Sequence, residues 1–456
     1  MKSKQEIYAD LTDNNLLKIM SKLFENLVIQ NPKQISRNRM DRVSLYPYYA
    51  GFSPSFVDSL LTSTKLSQDA KIVDPWNGSG TTTTSATRLG YCTQGYDLNP
   101  VMVIAAKACM LNAREKTSLW PIAVDIMTKA SKEKLITIND EDPLCTWIVP
   151  DSAIVLRKIE KAIQALLVDS QNYQPLIVRG NFNSLSDIAA FFYTALFRCI
   201  RELVTDFIPS NPTWIKKPKL LSSRVKPSKK VIVDKFGEEV QKMIQAIDNN
   251  LPNNQSIIGK ALVEVASSES LPIPDKSVDF ILSSPPYCTR IDYAVATLPE
   301  LALLGYKLDS DFKHLRRKLI GTSTVPSTFT EPLLSWGKTC NYFLQQLVDH
   351  ESKASRTYYY KNHVQYFDAI HRSFLELNRI LKSSGVCILV VQDSHYKDLH
   401  NDLPQIFIEM ALNNGFRLER RVDFNLGRTM ADINPRSNKY NKRRGLTESV
   451  LCLSNN

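Results

Sequence analysis

The chain has 456 residues, with 57 Lys or Arg against 46 Asp or Glu, a formal charge of +11 with neutral histidines. Its 43% hydrophobic and 23% charged residues are globular composition, which excludes a disordered tail, a collagen-like repeat and a coiled coil. The basic excess favours a polyanionic partner such as nucleic acid, and the length predicts one large elaborated domain or two to three modules.

In chain order, residues 1–42 read as a helical, basic lead-in ending in KQISRNRMDR. The opening lysines have no apolar core behind them, so no secretory signal is expected. Over 43–113 the pattern is α/β: a strand at Asp69–Val73, a helix opening at Thr84–Arg88, a strand at Tyr91–Tyr96 and an apolar helix at Pro100–Leu111. That βαβα order belongs to a parallel sheet. Residues 114–257 carry helical periodicity instead, with helices expected over Ala153–Val168, Ser186–Phe207 and Lys235–Asn249. Between the last two, Pro212, Pro218 and Pro227 interrupt a strip with eight Lys or Arg from Lys216 to Lys235 against the single Asp234.

Residues 258–456 return to strands at Val278–Leu282 and Val386–Val391, with a smaller insertion at about 295–362. An amphipathic helix over Phe367–Leu381 leads through a Lys-Ser-Ser-Gly turn into the second strand, and Arg417–Phe424 with Glu448–Leu453 reads as a final hairpin. No apolar run approaches the ~18 residues of a membrane span. The eight cysteines stand singly, without a Cys-x-x-Cys pair, and the six histidines show no ligand spacing. Reduced thiols, no disulfide, no metal and a cytoplasmic location are expected.

Two turns carry chemistry. The first is Asp74-Pro75-Trp76-Asn77-Gly78-Ser79-Gly80-Thr81-Thr82, a strand running through glycines into a helix. Such a turn brings backbone N–H groups close to a ligand. A phosphate loop would end in Gly-Lys-Ser/Thr, and the lysine is missing; a dinucleotide loop wants a third glycine where Thr83 stands. S-adenosylmethionine (AdoMet) remains, with Asp74 at the strand end able to meet its ammonium group. Asp97, closing the next strand about 20 residues after the glycines, is placed to accept from ribose hydroxyls.

The second turn is Ser283-Ser284-Pro285-Pro286-Tyr287, where a strand stops at two prolines. Proline has no N–H for a ladder, so the turn is rigid, leaves a carbonyl free and presents Tyr287. The Ser284 hydroxyl and the Pro285 carbonyl are acceptors for an exocyclic amine, and Tyr287 offers a flat face for an extruded base.

These residues resemble the amino-methyltransferases that modify exocyclic nitrogens of DNA bases. Asp74, Pro75, Gly78, Ser79, Gly80, Thr81 and Thr82 match the AdoMet motif of that family, and Ser284 to Tyr287 its catalytic motif. Tyr49 to Pro54 resembles the aromatic-Pro segment that lines the methionine end, which adds Phe52 to the cofactor residues. The resemblance covers about 46–112 and 258–456. It implies a Rossmann-like α/β methyltransferase fold, AdoMet as cofactor, double-stranded DNA as substrate, and a helical insertion that recognises the target. A partner restriction endonuclease is implied by the same resemblance.

One position departs from the pattern: many relatives carry Asp four residues before the Leu-Pro, where this chain has Ser267, with Glu269 nearby. In this family Ser-Pro-Pro-Tyr goes mainly with cytosine N4, and Asp- or Asn-Pro-Pro-Tyr mainly with adenine N6. The expectation is therefore N4-cytosine, with N6-adenine as the alternative and tRNA guanine-N2 further behind. Carbon-5 chemistry needs a cysteine nucleophile after proline; Cys288 follows Tyr287 and is expected only to line the pocket. Phosphate contacts are expected from Lys216, Lys217, Arg224, Lys229 and Lys230, from Arg316 and Arg317, and from Arg443 and Arg444. Arg290 and Asp292 either touch the target strand or pair with each other.

Overall fold

A computed structural model describes residues 23–33, 45–47, 51–133, 140–168, 173–250, 259–288, 291–325, 330–426 and 446–455. The strands are β1 (Lys71–Asp74), β2 (Cys92–Asp97), β3 (Ala261–Val265), β4 (Val278–Ser283), β5 (Leu381–Gln392), β6 (Ser394–Tyr396), β7 (Leu399–Asn401), β8 (Phe416–Leu426) and β9 (Leu446–Asn455). Seven of them form one sheet in the order β3-β2-β1-β4-β5-β9-β8, with β6 and β7 a separate small ribbon. All sheet pairings are parallel except the two made by β9, so β9 alone runs backwards. The chain leaves β1 in one direction toward β2 and β3, and resumes on the other side with β4 and β5. The switch point therefore lies between the carboxyl ends of β1 and β4, where ligands bind in open α/β sheets.

Side-chain alternation builds a core on each face of the sheet. Ile72, Phe280, Leu282, Val386, Ile388, Val390, Val450 and Cys452 pack with α1 (Pro54–Thr64), α2 (Thr81–Arg88) and the 23–33 segment. Val73, Ile281, Cys387, Leu389, Val391, Leu451 and Leu453 point the other way. They meet α10 (Lys338–Asp349), α11 (Tyr360–Ile380) and α12 (Leu403–Asn413).

The helix α3 (Pro100–Ala108) is buried along its whole length. Val103 and Ala106 face Val263 of the sheet, while Val101, Met102, Ile104 and Ala105 face a third core. A helix apolar all round needs two partners, and α3 has them. That third core is the helical region: α4 (Lys116–Lys132), α5 (Pro150–Leu167), α6 (Asp187–Leu203) and α7 (Lys229–Asn250) around Trp147, Phe191, Phe192 and Phe197. It also takes in α8 (Leu298–Leu303) and α9 (Asp311–Lys318). The segment read as a smaller insertion thus divides: 294–315 joins the helical core, and α10 joins the sheet-side core.

Element boundaries differ from expectation in places with physical causes. The helix α7 begins at Lys229 rather than 235, so the end of the basic strip is helical. The Lys-Ser-Ser-Gly segment is not a turn before a strand. Val278 pairs with Leu381 and Phe280 with Val386, so residues 382–385 bulge out of a strand already begun. Helix α4 holds Pro121 in its second turn, which hides it from a periodicity count, and β3 buries Val263 alone. No described helix is long and apolar enough to cross a membrane.

Candidate active site

Asp74 ends β1 and is almost wholly buried, 3% exposed. Its Oδ1 accepts from the Trp76 N–H at 3.1 Å and the Ser283 hydroxyl at 2.5 Å, so the ends of β1 and β4 are tied through one carboxylate. Asp97 ends β2; its Oδ2 accepts from the Gly78 N–H at 3.0 Å and its Oδ1 from the Asn99 N–H at 2.8 Å. The second carboxylate therefore fixes the glycine turn itself. Gly78 and Gly80 both have positive φ, 49° and 87°, and a Cβ on Gly80 would come within 2.9 Å of Ala106 on α3. Glycine is required there for conformation and for close helix packing.

Burial pushes both carboxyls up to about 6; hydrogen bonds from Ser283, Thr82 and Trp76 oppose this at Asp74. At Asp97 the Asn99 and Gly78 amides oppose it, and the negative charge of Asp74 adds to it. Two buried carboxyls whose ionisation is resisted by burial, under one glycine turn, make a site that gains from a cation.

The second turn leaves β4 at Ser283. Ser284 donates its hydroxyl hydrogen to the Val390 carbonyl at 3.0 Å, which leaves the oxygen lone pairs for another donor. The peptide unit that joins Pro286 to Tyr287 is clamped at both polar atoms. Tyr366 donates to the Pro286 carbonyl at 3.0 Å, and the Tyr287 N–H donates to the Tyr293 hydroxyl at 3.1 Å. Burial holds both clamp hydroxyls well above the usual tyrosine range, so they stay neutral. Asn99 joins the two turns: beyond its link to Asp97, its Nδ2 donates to Thr297 at 2.9 Å and to the Tyr293 carbonyl at 3.4 Å.

One cleft collects the pieces. Its lining includes Phe52, Asp74, Pro75, Gly78, Ser79, Thr81 and Asp97 from the first group of expected residues, and Ser284, Pro285, Pro286 and Tyr287 from the second. Gly80 sits behind, against α3. The side-chain nitrogens Trp76 Nε1 and Asn77 Nδ2 are buried beside the cleft with no hydrogen-bond partner, two donors awaiting an acceptor. Ser267 lies on the wall, while Glu269 is taken up by Arg372 at 2.7 Å.

The helical region closes the far side with Arg201. Its Nε donates to Glu300 at 2.7 Å and its Nη2 to the Ala296 carbonyl at 2.7 Å and to Tyr46 at 3.1 Å. Arg201, Tyr293, Tyr366 and Asn99 belong to no motif. Only Asn99 carries a local sign, as the cap before Pro100.

The expected phosphate contacts divide. Lys216, Lys217, Lys229 and Lys230 are exposed, with Trp214 nearly half exposed among them. Lys230 makes only a surface pair with Asp234. Arg224 is turned inward onto Asp140, and Arg316 binds Asp292 at 2.7 Å and Ser323 at 2.8 Å. Asp292 is therefore engaged by Arg316; Arg290, Arg443 and Arg444 lie outside the described residues, as do Tyr49 and most of the lead-in. Arg317 opens onto a second cleft beside Arg372 and Tyr366. Cys288 is a correction: its thiol is buried in the core between β4 and α10, because one residue past Tyr287 the chain turns inward.

No protein-family model matches the chain. Among curated proteins, the type II methyltransferase M.BsoBI of Geobacillus stearothermophilus is 24% identical over 294 residues, 57% of this chain and 52% of that protein. The chain thus spans about half the length of the curated relative it matches. That likeness agrees with the two motif-bearing turns meeting at the switch point of one sheet: the chain is distantly similar to a type II DNA methyltransferase.

Proposed function

We propose that this chain transfers a methyl group from AdoMet to the exocyclic N4 of cytosine at specific sites in duplex DNA, as the modification enzyme of a restriction-modification system. The observation that carries the reading is the shared cleft, in which the glycine turn and the Ser-Pro-Pro-Tyr turn face one space. The donor set fits AdoMet. Two buried carboxyls suit an ammonium and ribose hydroxyls, and the unpartnered nitrogens of Trp76 and Asn77 suit the acceptors of the same ligand. When bound, AdoMet supplies an electrophilic methyl group on sulfonium.

The residues of the chain do the rest. An extruded cytosine stacks on Tyr287. Its amino hydrogens are accepted by the Ser284 oxygen, whose own hydrogen is spent on Val390, and by the Pro285 carbonyl. Those two acceptors would orient the nitrogen lone pair and stabilise the positive charge that develops on it as it gains the methyl, until one amino proton is lost to solvent. Positioning and electrostatics supply most of the acceleration. The choice of cytosine over adenine rests on serine at position 284 and on Ser267 in place of the acidic residue. Phosphate contacts fall to Lys216, Lys217, Lys229, Lys230 and Arg317, and in sequence to Arg443 and Arg444; Arg224 and Arg316 are held by Asp140 and Asp292 instead.

The test is labelled methyl transfer to unmethylated bacterial DNA, followed by digestion and mass spectrometry of the nucleosides. N4-methylcytosine is expected. N6-methyladenine would overturn the base assignment and keep the site; label on tRNA alone would overturn DNA as substrate.

A further inference from the structure

The catalytic turn has a neighbour from far away in the chain. Pro32 accepts from the Ser53 N–H at 2.8 Å, which fastens the 23–33 segment beside Phe52, and the next residue, Lys33, extends over Tyr287. Its ammonium lies 5.8 Å from the centre of the Tyr287 ring, within cation–π range. The same nitrogen donates to Gln392 Oε1 at 2.6 Å and pairs with Glu448 Oε1 at 3.3 Å. Gln392 closes β5 and Glu448 lies near the start of β9; both are at least 97% buried, and Gln392 Nε2 and Glu448 Oε2 have no hydrogen-bond partner.

An ammonium has three hydrogens. One is donated to Gln392 and a second faces Glu448 in the ion pair, so the third remains for another acceptor beside the Tyr287 ring. A base lying on that ring brings its own acceptors to the same place. Buried polar atoms left unpaired are costly unless a ligand completes them, and Lys33 links these two to the Tyr287 ring.

The structure assigns Lys33, held by Gln392 and Glu448, as a residue that reads the ring-acceptor edge of the target base. This rests on the reading that Tyr287 stacks an extruded cytosine. Lys33 gives its third hydrogen to N3 or O2 of that cytosine, on the edge beside the reacting amine. Lys33 takes no part in methyl transfer itself; it sets which base lies flat and how far its amine reaches toward Ser284.

The test compares the full-length protein with Lys33→Met on three duplexes: the natural site, the site with 3-deazacytosine, which lacks N3, and the site with a C-nucleoside analogue that lacks O2. The AdoMet Kd and thermal midpoint of each protein serve as controls for the fold, with Lys33→Arg as a second variant that keeps the charge. The expected result is at least a tenfold loss of kcat/KM on cytosine by Lys33→Met, and less than a twofold loss on one of the two analogues. Equal losses on all three duplexes, or a loss that tracks only the salt dependence of DNA binding, would overturn the assignment and make Lys33 a phosphate contact or a structural residue. The wild-type product separates the two ideas: N4-methylcytosine with equal losses sinks the role of Lys33 alone, whereas absence of that product sinks the cytosine reading beneath it.

Discussion

The two sides of the cleft are built by different physics. On the sheet side, short turns place carboxylates and hydroxyls, and backbone groups hold them: Asp74 by the Trp76 N–H, Asp97 by those of Gly78 and Asn99, and Ser284 by the Val390 carbonyl. On the helical side, buried charge does the holding. Arg157 is 1% exposed and bonds Asp142, Glu160 and the last carbonyls of α8, while Arg201 ties α6 to Glu300 on the same helix. Local turns make chemistry that survives small shifts of the frame. Buried ion pairs make a frame that fails as a whole when one partner is removed.

The contrast can be broken most severely at Arg157. Arg157→Ala leaves Glu160 buried without its partner, and a loss of about 3–5 kcal/mol is expected in denaturant unfolding. The double variant Arg157→Met/Glu160→Gln should recover part of that. If the single variant unfolds like the wild type, the helical side is not held by charge.

On the sheet side, the same kind of truncation should spare the fold and cost activity. Tyr287→Ala should lower kcat/KM on DNA by about 1–3 kcal/mol of lost stacking, roughly five- to 150-fold. Its AdoMet Kd and unfolding midpoint should stay near wild type. Ser284→Ala should act on kcat rather than on either binding constant, because its acceptor matters most once charge develops on nitrogen. Full methylation by both variants would remove the turn from the mechanism.

A pH titration sharpens the comparison further. A carboxyl whose native pKa stands near 6 binds its proton more tightly folded than unfolded, where the value is about 4. Between about pH 4 and 6 the free protein therefore loses stability as pH rises, through Asp74 and Asp97. A cationic ligand reverses the preference, so AdoMet should bind more tightly by roughly tenfold per carboxylate from pH 5 to pH 7. Asp74→Asn should remove one of those two steps, raise the unfolding midpoint of the free protein at pH 7.5, and weaken AdoMet. Calorimetric titration across that range checks all three.

Smaller effects are expected at the clamp and on the surface. Tyr293→Phe and Tyr366→Phe each remove one bond to the Pro286–Tyr287 peptide, about 0.5–1.5 kcal/mol, so kcat should fall two- to tenfold with AdoMet binding little changed. Replacing Lys216 and Lys217 with Ala should leave catalysis at saturating DNA intact. It should flatten the salt dependence of DNA affinity by about two, one for each phosphate that is no longer neutralised. Arg316→Ala should instead lower stability, since its partners are Asp292 and Ser323.

The same division decides what could be read from the sequence. The elements around the motifs were legible, because a strand, a glycine turn and a Pro-Pro stop are local patterns: β1, β2, β4, α3 and the final pair β8 and β9 fall within a few residues of expectation. So were the two motif turns that line the cleft. What stayed hidden depends on distance in the chain. Tyr293 and Tyr366 look like any tyrosines until the Pro286–Tyr287 peptide is seen between them, and Lys33 is one basic residue among many. Arg224 and Arg316 counted as surface charge because a linear reading cannot see Asp140 or Asp292. The bulge at 382–385 read as a turn for the same reason: only pairing with β4 reveals that the strand had already begun.

The bond from Ser283 to Asp74 spans 209 residues. Contacts so distant form late, since the entropy of closing the loop must be met before the pairing repays it. The helical region, whose contacts lie mostly within the intervening segment, can gather first, and β4 then enters beside β1. During synthesis the glycine turn is complete long before the strand that faces it exists. A nascent chain therefore carries one wall of the cleft for about 200 residues of synthesis before the other exists, and the cleft is whole only when the sheet has closed.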